Sequence, residues 1–132
     1  MQHHPKARLV ALVDDDDLIR NSIADLLMSA GIASRTFASA EEFLDSLDED
    51  EPDCLVTDIR MPGMNGIELQ RKLTADLSWI PIIFITALED TQLRAQALRA
   101  GAVEFLLKPI DDAVLLNSVL AALKCASLEL GS

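Results

Sequence analysis

Short apolar runs alternate along this chain with longer stretches in which apolar positions recur every three or four residues. Runs of this kind read as strands covered on both faces, and the stretches between them as amphipathic helices. The runs fall at 8–13, within 32–37, at 55–57, at 82–87 and at 103–107. The second is more polar than the rest and reads as a sheet edge. Helix 1 is expected from Leu18 to Ala30, with Ile19, Ile23, Leu26, Leu27 and Ala30 inward and Gly31 as its stop. Asp16 or Asp17 caps it. Helix 2 opens at Ser39-Ala40-Glu41-Glu42, which has capping-box spacing, and buries Phe43, Leu44 and Leu47. Helix 3 starts near Asn65 or Gly66, carries Ile67, Leu69 and Leu73, and ends near Leu77. Helix 4 spans about 90–100 with Leu93, Ala97 and Leu98 as its core face. Helix 5 follows Asp111-Asp112, runs to about Ala126, and buries Leu115, Val119, Leu120 and Leu123. Five strands alternating with five helices predict an α/β fold with a doubly wound parallel sheet and right-handed crossovers.

The ends of the strands carry the chemistry. Val13 is followed by Asp14-Asp15-Asp16-Asp17, and Thr57 by Asp58. The fourth run carries Thr86 next to its end, and the fifth is followed by Lys108. In an open parallel sheet these positions converge on one rim, where such folds build their sites. Asp58 by itself is as readily a turn former, since Pro62, Gly63 and Gly66 follow it. Three carboxylates on one rim change that balance, because they repel unless a cation joins them. An all-oxygen set points to Mg2+ or Mn2+. A carboxylate can also act as a nucleophile toward a phosphoryl group.

These motifs resemble the receiver domain of two-component response regulators, and in detail the FixJ-like receivers whose output is a LuxR-type helix-turn-helix. The resemblance rests on Val13-Asp14-Asp15-Asp16, Ser39-Ala40-Glu41-Glu42-Phe43-Leu44, Asp58 to Gln70, Phe84-Ile85-Thr86 and Ala100 to Pro109. It covers the chain from about Arg8 to Leu123. Each motif alone is weak, but five in order are specific. One departure stands out: such receivers often carry a Gly-His-Gly-Asp-like segment after the Thr, and here it is Ala87-Leu88-Glu89-Asp90.

The resemblance implies a flavodoxin-like (CheY-like) sheet of order 2-1-3-4-5, with the switch point between strands 1 and 3. It implies that Asp58 is the phosphoacceptor, assisted by Lys108 and Thr86. It implies a metal held by Asp15, Asp58 and the Arg60 carbonyl, with Asp14 acting through water. It also implies a cis Lys108-Pro109 bond. Thr86 and Phe105 become the switch pair, although Phe105 reads equally as a core residue. The Arg60 side chain shields the phosphoryl group, meets the donor or faces solvent. The expected partners are a sensor histidine kinase and a second copy, joined on phosphorylation through helix 4 and strand 5, controlling a DNA-binding domain outside this chain. The alternative is a stand-alone or hybrid-kinase receiver serving as a relay or docking module. No turnover of a separate substrate is expected.

Other classes fit the residues less well. A haloacid-dehalogenase-like phosphatase has a second Asp two positions after its nucleophile, where Arg60 stands. The P-loop pattern is absent. A flavodoxin phosphate loop after strand 1 is replaced by four Asp.

The 132 residues suffice for one domain. Residues 1–7 read as a tail, 8–126 as the receiver, and 127–132 as a tail or the start of a linker. His3 and His4 in the first tail have no evident role. A net charge of −11, from 11 basic and 22 acidic residues, disfavours direct nucleic-acid binding. The acidic run 48–51 reads as a solvated loop. No apolar run reaches a membrane span and no signal region opens the chain, so a cytoplasmic location is expected. Cys54 reads as a buried thiol and Cys125 as exposed, with neither metal nor disulfide spacing. Trp79 falls in the loop before strand 4 and suggests packing or partial exposure.

Overall fold

The computed structural model describes residues 8–48, 51–76 and 78–131, with 125–131 as backbone only. The N-terminal tail with His3 and His4, part of the acidic run, Leu77 and the Cys125 thiol lie outside the described residues.

Strands β1 (Leu9–Val13), β2 (Ala33–Phe37), β3 (Cys54–Asp58), β4 (Ile82–Thr86) and β5 (Glu104–Leu107) form one parallel sheet. Its order is β2-β1-β3-β4-β5. The edges are β2, as its polarity predicts, and β5, as the resemblance implies. Alternation along each strand sends neighbouring side chains to opposite faces. Val10, Leu12, Cys54, Val56, Ile83 and Ile85 face one core layer. Ala11, Val13, Leu55, Ile82, Phe84 and Phe105 face the other.

Helices α1 (Asp17–Ser29) and α5 (Asp112–Gly131) cover the first layer, the former with Ile23 and Leu27, the latter with Leu115, Val119, Ala122 and Leu123. Helices α2 (Ala40–Ser46), α3 (Gly66–Ala75) and α4 (Thr91–Arg99) cover the second, through Phe43, Ile67, Leu69, Leu73 and Ala97. Asp16 caps α1 by accepting from the Leu18 and Ile19 N–H groups.

Several sequence expectations are corrected. Ala30 is exposed, because it is the C-cap of α1 and the chain turns away there. Leu98 and Leu120 are exposed, each turned about 100° from its buried neighbour, Ala97 or Val119. Ser39 accepts from the Glu42 N–H (3.1 Å), but the box is not closed. The Glu42 carboxylate instead meets the Ser39 hydroxyl (3.3 Å). The reciprocal capping box stands at Asn65 and Glu68, at the start of α3. Helix α5 runs to Gly131, past the expected end at Ala126, since no Gly or Pro interrupts residues 112–130. The segment 127–131, expected to be a tail or the start of a linker, continues this helix. Trp79 is 80% exposed and packs little.

Candidate functional site

The sheet register builds the site. Val13 pairs with Thr57, so Asp14 and Asp58 follow at the same level on adjacent central strands. Asp58 pairs with Ile85, which places Thr86 one step beyond it on β4. Thr86 in turn pairs with Leu107, and its carbonyl accepts from the Lys108 N–H (2.8 Å). The four strand ends thus meet on one rim.

Asp14, Asp15 and Asp58 bring one carboxylate oxygen each to within 4.8 Å of one another. Asp14 and Asp58 are buried and Asp15 is exposed. An all-carboxylate oxygen set with one open member fits a hard divalent cation such as Mg2+.

Asp58 is fixed by local geometry. Its Oδ1 accepts from the Ile59 N–H (2.6 Å) and the Arg60 N–H (3.3 Å). Its Oδ2 accepts from Lys108 Nζ (2.9 Å). The turn after it closes with a bond from the Gly66 N–H to the Ile59 carbonyl (2.8 Å). A Cβ at residue 66 would lie 2.5 Å from the Asp58 carbonyl oxygen, so only glycine fits where α3 begins.

Lys108 Nζ also donates to Asp14 Oδ2 (3.0 Å). Burial pushes the Lys108 pKa down, but its bonds to Asp58 and Asp14 and their charges outweigh this and hold it above the ordinary range. Burial is the largest influence on Asp14 and raises its pKa. The Asp58 charge adds to that rise, while the Asp16 N–H and Lys108 oppose it. The Lys108-Pro109 bond is cis, as the resemblance implies.

The remaining predicted residues lie around this centre. Thr86 is buried, and its hydroxyl accepts from the Leu88 N–H (3.0 Å). Phe105 is a core residue, 6.3 Å between centroids from Phe84 on the adjacent strand. The Arg60 side chain is exposed.

Two residues escaped the sequence reading. Arg20, in the first turn of α1, donates to the Asp14 carbonyl (2.5 Å) and pairs with Asp17. Glu41 of α2 accepts from the Met64 N–H (3.0 Å) in the loop after Asp58. A cation three positions after an acid on a helix is a readable signal for the Arg20–Asp17 pair. The Glu41 contact joins residues 23 apart and has no local signal.

Comparison with known proteins agrees with this geometry. Residues 10–120 match the family model of the response regulator receiver domain. The chain is 41% identical over 119 residues to the transcriptional regulatory protein FixJ of Azorhizobium caulinodans, covering 90% of this chain and 56% of that protein. It is 42% identical over 114 residues to nodulation protein W of Bradyrhizobium diazoefficiens, covering 86% and 50%. The chain therefore spans about half the length of the curated relatives it matches. Among solved structures, FixJ-N superposes with a TM-score of 0.81 at 38% identity, covering 94% of this chain and 96% of that one. A receiver protein from Burkholderia phymatum gives 0.79 at 44% identity, covering 89% and 95%. The chain belongs to the response regulator receiver domain family of two-component signalling and is similar to the FixJ-type regulators.

Proposed function

We propose that this domain accepts a phosphoryl group on Asp58 from a sensor histidine kinase and switches its α4–β5 face in response. The observation that carries this is the joint placement of Asp14, Asp15, Asp58 and Lys108 on one rim. In the transfer, an Asp58 carboxylate oxygen bonds to phosphorus as the bond from phosphorus to the donor nitrogen breaks. The electron pair of that bond leaves with the donor imidazole. The product is a mixed anhydride, and its phosphoryl oxygens carry the charge that needs stabilising.

Lys108 supplies a compact cation for one of those oxygens. Thr86 supplies a hydroxyl for another, since its oxygen accepts from the Leu88 N–H while its O–H remains free to donate. Asp15, Asp58 and the Arg60 carbonyl would hold Mg2+, or Mn2+, with Asp14 acting through water. When bound, the cation supplies charge neutralisation at the transferring group. The site turns over only its own phosphoryl group and has no separate substrate.

An apolar groove of about 600 Å3 lies beside the site, lined by Leu18, Ile19, Ile23, Leu26, Pro109 and Leu115 and reaching Lys108. Leu18 is 80% exposed at this groove. An apolar face next to the acceptor suits the helix that presents the donor histidine. On the other side, β5 is a sheet edge, and Leu98, Val103 and Leu107 are exposed near it. Such an edge is a natural docking surface for a second copy. By likeness to the relatives named above, the dimer would control a DNA-binding domain beyond this chain. The acidic charge of the domain keeps it from binding DNA directly. No helix among the described residues is long and apolar enough to cross a membrane.

The test of acceptor function is intact mass after acetyl phosphate and Mg2+. One added phosphoryl group in the wild type and none in Asp58→Asn is expected, and equal labelling of both overturns the assignment. Sedimentation with beryllofluoride and Mg2+ tests the output. A dimer is expected at roughly 100 μM, well above a 1 μM constant of about −8.2 kcal/mol. A monomer with the mimic bound favours the relay or docking alternative.

A further inference from the structure

We propose that Glu41 is a positioning residue for the acidic site. Its carboxylate holds the loop after β3 in the shape that sets metal affinity. The inference rests on the acceptor assignment above. The loop 59–65 leaves the acceptor strand directly at Asp58, and it is pinned at both ends. At one end Asp58 Oδ1 receives the Ile59 and Arg60 N–H groups. At the other, Asn65 and Glu68 close a capping box on α3. Between those ends, a link to a separate element comes from Glu41 Oε2, which accepts from the Met64 N–H at 3.0 Å.

The sequence of the loop makes room for that carboxylate. Gly63 has φ +78°, a conformation that side chains rarely adopt. A Cβ there would lie 2.6 Å from Glu41 Oε2. Glycine at 63 therefore both turns the loop and admits the Glu41 head group. The backbone that bears Glu41 is anchored, since it forms the first turn of α2, which Ser39 caps and Phe43 fixes in the core, and the exposed Glu41 side chain reaches the loop from there. A charged acceptor on an N–H is among the stronger hydrogen bonds. Through Met64 it ties α2 to the segment that bears the Arg60 carbonyl. Partners that bond a metal ligand directly cost about 10–100-fold in affinity when lost. Glu41 acts one step further out, through the Met64 N–H, so a loss at the low end of that range is expected.

The test is Mg2+ affinity by calorimetry on the whole chain, paired with the rate of phosphoryl uptake from acetyl phosphate across Mg2+ concentrations. Glu41→Ala should weaken Mg2+ binding about tenfold. It should raise the half-saturating Mg2+ concentration equally and leave the rate at saturating Mg2+ unchanged. Glu41→Gln keeps an oxygen acceptor of the same reach and should restore most of the affinity. Glu41→Asp is one methylene short and should not. A merely structural role would lower the melting temperature without shifting half-saturation. The proposal is overturned if Glu41→Ala, folded by circular dichroism, binds Mg2+ within twofold of wild type. It is equally overturned if Glu41→Gln is as impaired as Glu41→Ala. Failure of the wild type to take up a phosphoryl group would instead strike the acceptor assignment, which these variants do not probe.

Discussion

Lys108 Nζ stands 2.9 Å from Asp58 Oδ2, and the same ammonium reaches Asp14 Oδ2 at 3.0 Å. The lysine side chain is 17% exposed and the two carboxylates 9% and 3%. One cation is thus shared by two buried acids that would otherwise repel, and it leaves one negative charge uncompensated. On the proposed function, a bound metal ion would compete with the lysine for these oxygens, and phosphorylation of Asp58 would give Lys108 a new partner.

Lys108→Met should leave both acids without a counter-charge. We expect a loss of about 1–3 kcal/mol in stability without metal, because a buried charge left unpaired is costly. The same variant should gain more stability from Mg2+ than the wild type does, since the ion then has no competitor. Urea unfolding with and without Mg2+ checks both. An Mg2+ response equal to that of the wild type would show that the lysine does not contend for the metal oxygens.

Mg2+ should raise the melting temperature of the wild type by linkage, because it binds the folded site alone. At a concentration 100-fold above its dissociation constant the gain is about 2.7 kcal/mol. Asp15 is the exposed member of the acidic set, so Asp15→Asn removes a ligand with little effect on packing. That variant should keep its metal-free melting temperature and lose most of the rise. A wild-type melting curve indifferent to millimolar Mg2+ would refute the metal site.

Cys54 is fully buried on a central strand, and burial pushes its thiol up to about 12. The reactive species is the thiolate, so this residue should resist alkylation. Peptide mapping after iodoacetamide treatment at pH 8 should find Cys54 unmodified in the native protein and modified in denaturant. Rapid native labelling would mean that β3 opens readily.

Trp79 precedes β4 by three residues and lies seven before Thr86, at the opposite end of the sheet from the acids. At ~3.3 Å per residue the separation is on the order of 20 Å. Its fluorescence should therefore be insensitive to Mg2+. A titration that quenches it strongly would place the binding site elsewhere.

The strands and the rim were legible because their signals are local, while the sheet order came from the resemblance. Five apolar runs and the residues that end them are read directly from the chain. The helix stop at Gly31 and the caps at Asp16 and Ser39 are equally short-range. The reading failed where a third dimension decides. Leu98 and Leu120 obey helical spacing within a residue, yet the covered stripe is narrower than their apolar neighbourhood suggests. Gln70 is 3% exposed and donates to the Ala97 carbonyl (3.1 Å), a polar core contact between helices that periodicity would assign to solvent. The Asn65–Glu68 capping box carries a readable sequence signature of its own, an Asn with a Glu three positions on. Convergence of Asp14, Asp58 and Lys108 was foreseen from strand ends alone. The sharing of one ammonium between two acids depends on side-chain reach across 94 and 50 residues of sequence. The contact of Glu41 with the Met64 N–H has the same origin.

The most direct measurement of the central claim is chemical mapping of the acyl phosphate. Borohydride reduces an aspartyl phosphate to homoserine, with loss of phosphate, and leaves free carboxylates untouched. After treatment with acetyl phosphate and Mg2+, reduction and digestion, peptide mass spectrometry should find homoserine at position 58 and aspartate intact at 14 and 15. Homoserine at 14 or 15, or none anywhere in a chain shown to bind Mg2+, would contradict the account.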